Sequence, residues 1–259
     1  MSRLKNLNWP GWTSFVFLLL LWELGGRAAP DYRLYLPSIT AVIEAGAQLL
    51  ISGVVARHFL VTLERFLTGY LIAAAIGVTL GVALGYFRFL HSLLGTVIEL
   101  LRPMPSVAII PVAILVLGIG DAMIVAVTVY ASVWSILINT IDGVRHIEST
   151  LVDTGRTFGL NRRRILWQVV LPAASPYIIT GLRIALSIAL ILVTTAEMVA
   201  GSKGLGFFIL DEERSMNSSN MYAGILIVAV LGYGLNRLFL TIEARVMRWH
   251  HGMLNRETA

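Results

Sequence analysis

Between Phe66 and Phe87 twenty-two residues pass without a single Asp, Glu, Lys, Arg or His. Wound as a helix, that run is about 33 Å long, and the hydrocarbon core of a bilayer is about 30 Å thick. The rest of the chain has the same character. Hydrophobic residues make up 57% of its 259 positions and charged residues only 14%, against roughly 25% charged in a soluble domain. So few charges cannot cover a water-facing surface of this size. The sequence therefore describes an all-α, polytopic membrane helix bundle. Its six tryptophans and 23 glycines suit interfaces and close helix contacts in lipid. With no cysteine, disulfides, thiol catalysis and thiolate metal sites are excluded. The formal charge of +5 fits cytoplasmic loops better than nucleic acid. No zinc spacing, P-loop or dinucleotide fingerprint is present.

Six spans are expected. The first runs from Trp9 to Gly26 with Glu23 near its far end, and the second from Phe66 to Phe87. The third covers Ile98 to Leu117 and contains Pro103, Pro105 and Pro111, which start or kink helices in membrane bundles. The short link Leu117-Gly118-Ile119-Gly120 makes the fourth span, Asp121 to Thr140, its antiparallel neighbour. The fifth covers Tyr177 to Val199, with Ser175-Pro176 as cap and first-turn proline, and the sixth Met221 to Glu243. Trp12 to Leu24 follows Arg3 and Lys5 as a signal peptide would, but a retained first helix is the simpler reading. Gly77, Gly81 and Gly85 are four apart and share a face that permits close helix contact.

Orientation follows from basic residues. With the N-terminus in the cytoplasm, Arg3, Lys5, Arg88, Arg102, Arg145, Arg156, Arg162, Arg163, Arg164, Arg245, Arg248 and Arg256 lie inside. Only Arg27, Arg33, Arg57, Lys203 and Arg214 lie outside. Twelve against five places both termini in the cytoplasm. On the outer side, Pro37 to Leu50 reads as a short amphipathic helix capped by Ser38. Ser202 to Asn220 reads as a solvated loop or a docking surface for an outer partner.

The cytoplasmic stretch 141–172 carries the most information. Ile147, Leu151, Thr154 or Gly155, and Phe158 recur at helical spacing, and Gly159 stops that helix. Asn161 caps a second helix carrying Ile165, Leu166, Val169 and Val170, which Leu171-Pro172 ends. Two short helices around a glycine turn make a knob with Arg162, Arg163 and Arg164 at its tip. Such a projection is either a basic loop that anchors topology or a docking element for a cytoplasmic partner.

These residues resemble the signature of the permease subunits of binding-protein-dependent ABC importers. That signature is Glu-Ala-Ala, a glycine four residues after the last alanine, then an apolar residue and Leu-Pro. Asp153, Thr154 and Gly155 stand in the first three positions, followed by Gly159, Val169 and Leu171-Pro172. The substitution is conservative at Asp153 and loose at Thr154 and Gly155. Further stretches resemble the subgroup importing sulfonates, taurine and nitrate. They are Arg102-Pro103-Met104-Pro105, Leu117 to Gly120, Asn139-Thr140 with Gly143-Val144-Arg145, Thr180 to Ala185, Ala196-Glu197-Met198, and Gly204-Leu205-Gly206. Together they cover roughly residues 37 to 245.

The resemblance implies a type I importer permease in a bacterial inner membrane, with no catalysis of its own. A second permease subunit, most simply a second copy, would complete the pathway. Two cytoplasmic ATPases would bind ATP and magnesium, and a periplasmic or lipid-anchored protein would deliver substrate. The coupling residues would be Asp153, Thr154, Gly155, Gly159, Arg162, Leu171 and Pro172. The parts would be an N-terminal helix and external segment (1–60), a core (61–245) with the coupling loop 141–172, and a tail (246–259). Arg183 and Glu197 are fourteen residues apart, about 21 Å along a helix, too far to pair with each other. Arg183 is expected near the inner end, snorkelling and supporting the knob from behind. Glu197 is expected at a pathway or partner contact, with Arg102 a further pathway or support residue. The rival readings are an ion-driven transporter, which calls for an inverted repeat and midplane charges, and a membrane scaffold, which needs no knob.

Overall fold

The computed structural model describes residues 9–28 and 35–247. Arg3, Lys5, Arg33, Arg248 and Arg256, which entered the basic count, lie outside them. Every regular element among the described residues is helical. Helix α1 (Trp9–Ala28) leads to α2 (Ile39–Ile51) and the long α3 (Val54–Tyr86). Then come α4 (Arg88–Leu101), a 3-10 turn (Ser106–Ile109), α5 (Ile110–Leu117) and α6 (Asp121–Arg145). The knob is α7 (Ser149–Thr157) and α8 (Arg162–Ile165). It is followed by α9 (Leu171–Ala200), α10 (Leu205–Arg214) and α11 (Ser218–Val246).

Close approach of α3, α6 and α9 makes the core. Gly69, Gly77, Gly81 and Gly85 of α3 face Thr128, Ile136, Thr140 and Val144 of α6 in that order. The partner numbers rise together, so the two helices run parallel. A Cβ on Gly81 would stand 2.5 Å from that of Thr140, so only glycine lets the backbones meet here. The shared glycine face expected from the sequence is this contact. Gly143 lies under Tyr177 and Gly181 under Asn139, which makes α9 antiparallel to α6. Outside this contact the bundle surface exposes apolar side chains, such as Phe89, Leu115 and Val230.

Four described helices are long and apolar enough to span a membrane: Val54–Tyr86, Asp121–Arg145, Arg162–Ala200 and Ser218–Val246. A fifth is present if the pair α4 and Ser106–Leu117, bent by 91°, counts as one. The expected six are therefore four or five. Helix α1 is there, but Glu23, Arg27 and its glycines dilute its apolar character. Span three is not the straight helix 98–117. Pro103 and Pro105 break the chain into two helices joined at a corner, while Pro111 sits harmlessly at the start of α5.

The corner also moves Arg102. Helix α4 climbs from Arg145, whose Nη1 lies 3.0 Å from His91 Nε2, to Tyr130, whose hydroxyl donates to Leu101 O at 2.8 Å. Tyr130 is fifteen residues before Arg145, about 22 Å along α6. Arg102, which is exposed, therefore lies about 22 Å along the bundle from the knob end and not at that end itself.

Helix α2 matches expectation: Ser38 Oγ accepts from Ala41 N at 3.4 Å, and Val42, Ala45 and Leu49 are buried on one face. Glu23 of α1 holds its first turn, accepting from Thr40 N at 3.1 Å and Thr40 Oγ1 at 3.0 Å. The stretch 202–220 is no loop. It folds into α10, which buries Leu205, Phe208 and Ile209 between α9 and α11.

Candidate functional site

Polar assemblies mark the two ends of the bundle, and one helix joins them. At the knob end, Gly159 takes a φ of +73°, a left-handed conformation that glycine adopts without strain. The chain then turns into α8, where Asn161 Oδ1 accepts from Arg164 N at 2.8 Å, the expected cap. Gly155 is buried against Leu160, Ile165 and Val169, closing α7 onto the second half of the knob. Asp153 is exposed and pairs with Arg156 at 2.9 Å, and Thr154 bonds back to Thr150 O at 2.7 Å. Arg162 opens α8. Phe158 and Trp167 are 81% and 63% exposed, a large apolar outlay for the most polar part of the chain.

The second knob helix does not end at Leu171-Pro172. It continues through a π turn at Leu166–Val170 into α9, giving one helix of 39 residues from Arg162 to Ala200. The wider turn relieves the clash that Pro172 would make in a regular helix. Ser175-Pro176 is likewise interior and not a cap. Pro176 has no N–H for the carbonyl of Pro172, and Ser175 Oγ donates to that carbonyl instead at 2.9 Å.

Because α9 starts earlier than its apolar stretch suggests, Arg183 sits deeper than expected. Gly181 packs against Ser135 and Asn139, close to the middle of α6. Arg183 is therefore at mid-depth, away from the knob, exposed, and without a hydrogen bond or ion pair among the described residues. Thr180 and Ser187, three residues before it and four after, are exposed on the same face.

At the far end Glu197 is fully buried and locked. Its carboxylate accepts from Arg65 Nη1 at 2.8 Å, from Thr62 Oγ1 at 2.8 Å and from Gly206 N at 3.0 Å. Arg65, only 4% exposed, also donates to Lys203 O at 2.8 Å and from both Nε and Nη2 to Asp121. Helices α3, α6 and α9 are thereby tied to the turn that launches α10. Gly204 leaves room for the Glu197 carboxylate, which any side chain there would strike. Glu197 is thus closed off from solvent and held by three donors. Its partner Arg65 stands one residue before the apolar run Phe66 to Phe87 and was not among the candidate residues. The available signal was chemical: a lone arginine and a lone carboxylate in apolar spans favour each other. Among the described residues no group of His, Asp and Glu is arranged to hold a metal ion.

Long apolar helices, a two-helix knob and a locked polar end define a multi-pass membrane helix bundle. Residues 73–248 match the binding-protein-dependent transport system inner membrane component family. The chain belongs to that family: it is the transmembrane permease component of an ABC importer, part of a multi-subunit complex of the inner membrane. It is 34% identical over 240 residues to a putative ABC transporter permease of Methanocaldococcus jannaschii, covering 91% of this chain and 90% of the relative. It is 28% identical over 238 residues to the taurine transport system permease of Escherichia coli, covering 90% and 86%. Its fold is similar to that of a chain of the inward-facing MetNI methionine ABC transporter. The TM-score is 0.62 at 21% identity, covering 78% of this chain and 96% of that one. The ion-driven and scaffold alternatives are thereby set aside.

Proposed function

We propose that two such subunits, two copies or one with a close homologue, enclose a pathway for a small anion such as a sulfonate or nitrate. An extracytoplasmic binding protein hands the anion over, and two cytoplasmic ATPase subunits drive its passage. The observation that carries this reading is the single helix from Arg162 to Ala200. About 58 Å long, it begins in the knob, carries Arg183 at mid-depth and ends at the Glu197 anchor. A push on the knob is therefore a push on the arginine. Exposed Phe158 and Trp167 give the knob an apolar surface for an ATPase cleft. An unpaired guanidinium facing lipid at mid-depth is costly, whereas facing a watery pathway it attracts anions. Thr180 and Ser187 extend that face with hydroxyls. The taurine permease of Escherichia coli, whose name specifies a sulfonate, supports the same substrate class.

The test is uptake and ATP hydrolysis by the assembled transporter in vesicles, with loaded binding protein outside. Gly159→Val places a β-branched residue at a φ of +73° and should lose both uptake and stimulated hydrolysis. Arg183→Gln should cut anion uptake at least tenfold, about 1.4 kcal/mol, while stimulated hydrolysis persists. Wild-type uptake by both variants would overturn the reading.

A further inference from the structure

Helix α4 is the first half of the bent apolar pair, yet none of its residues is buried. It has three faces. Leu90 and Ile98 pack against Leu84 of α3 and against Leu137 and Ile141 of α6. Phe89, Leu93, Val97 and Leu100 are exposed on a second, apolar face. The third face is polar. Arg88, Ser92, Gly95, Glu99 and Arg102 recur at steps of four, three, four and three, the repeat of a single helix face. Arg102 keeps right-handed helical backbone angles, so the stripe runs up to the corner at Pro103. Its centre lies about 135° round the helix from the centre of the apolar face.

Glu99 and Arg102 stand at the deep end of this stripe. Both are exposed. Neither makes an ion pair or a side-chain hydrogen bond among the described residues, with the other or elsewhere. They flank Leu101, whose carbonyl meets Tyr130. Ser135, against which α9 packs beside Arg183, is five residues from Tyr130, about 7.5 Å along α6. Free charges at that depth are costly in lipid, so the face that carries them turns to water and not to acyl chains. A plain anion held by Arg102 would be repelled by Glu99 one turn away, with β-carbons about 5–6 Å apart. A molecule with an amine a few bonds from its anionic group satisfies both side chains at once.

Building on the anion pathway proposed above, we infer that the polar face of α4 is a second wall of that pathway. Glu99 and Arg102 form a site in it for small zwitterions. The anionic group meets Arg102 and the ammonium meets Glu99. A plain anion of the same size leaves the carboxylate unpaired beside it and is disfavoured.

The test places single cysteines in this cysteine-free chain and labels the assembled transporter in vesicles, with a charged thiol reagent on both sides. Gly95→Cys has room, since the atom nearest an added Cβ is His91 Nε2 at 3.9 Å. Ser92→Cys, close to isosteric, is a second site on the same face. Both should react, because the reactive thiolate forms in water. Leu93→Cys, at the same depth on the apolar face, should react roughly tenfold more slowly. Millimolar 2-aminoethanesulfonate should slow labelling of Gly95→Cys about threefold, and ethanesulfonate should not. With Glu99→Gln added the two compounds should protect alike, and with Arg102→Gln neither should protect. If the polar-face cysteines react no faster than Leu93→Cys, the second wall is overturned. The α9 pathway survives that result if Arg183→Gln still lowers uptake. Reactive polar-face cysteines that both sulfonates protect equally in the parent, or that neither protects, overturn the zwitterion site.

Discussion

Glu197 and Arg65 stand on different helices, 132 residues apart in sequence, and are each buried because the other is. Removing one partner leaves a buried charge uncompensated, at a cost of about 3–5 kcal/mol. Glu197→Ala and Arg65→Ala should each lower the melting temperature of the detergent-solubilised chain sharply. The double variant should recover part of the loss. Additive losses would mean the two residues do not act as a pair. Gly155 is a residue-scale case with the opposite sign. An added Cβ would sit 3.5 Å from Leu160 Cδ1 and 3.6 Å from both Ile165 Cγ1 and Val169 Cγ2, ordinary contact distances. Gly155→Ala should therefore stabilise the knob by about 0.5–1 kcal/mol, read as slower amide exchange across 149–157. A faster exchange would show that the knob interior has no room for a methyl group. Alanine is also the residue of the permease signature at this position, so the loosest departure from it is one the packing tolerates.

Among the elements, the α3–α6 contact depends on the absence of side chains. Gly81→Leu would drive a side chain into Thr140 and Leu137 O, already 2.5 Å and 3.0 Å from an ideal Cβ. Overpacking of this kind costs about 1–3 kcal/mol or more. Gly95 of α4 is the control: the nearest atom to its Cβ would be His91 Nε2 at 3.9 Å. Gly95→Ala should leave thermal stability unchanged or slightly raised, while Gly81→Leu lowers it. Equal melting temperatures for the two would contradict the parallel packing. The expected glycine face was legible because its spacing of four is a property of the helix alone. The bend between α4 and α5 was not. Three prolines announce a break, but its angle depends on what the second half packs against, here α6 and α9. The continuity of α9 was hidden for a similar reason. Leu-Pro and Ser-Pro are stop and start signals in an isolated helix. Here a π turn and the hydroxyl of Ser175 absorb both prolines.

For the whole molecule, α3, α6 and α11 run from the Glu197 end toward the knob, and α4 and α9 run back. The bias of basic residues predicts that the knob faces the cytoplasm. Single cysteines introduced into this cysteine-free chain test that orientation. Cysteines at Ser38 and Ser202 should react with an impermeant reagent from outside, and one at Ser149 only after the membrane is opened. Labelling of the Ser149 position from outside would invert the assignment. Stoichiometry belongs to this scale as well. The purified importer should contain two permease chains with two ATPases, as its measured mass would give. A mass that fits one permease chain would refute the paired pathway.

The sequence by itself determined the solvent of this protein, the helical class, the glycine face, the cap of α2 and the two-helix knob. Each of these is set by local composition or by a spacing that one helix imposes on its own residues. The depth of Arg102 and of Arg183 and the partner of Glu197 were decided only by the tertiary structure. So was the contact of Arg145 with His91. Depth depends on where a helix starts relative to its neighbours, and prolines absorbed by a π turn shift that start by several residues. Charge pairing between helices depends on which faces meet, and the chain encodes this only through the close contacts that α3, α6 and α9 make once they are packed together.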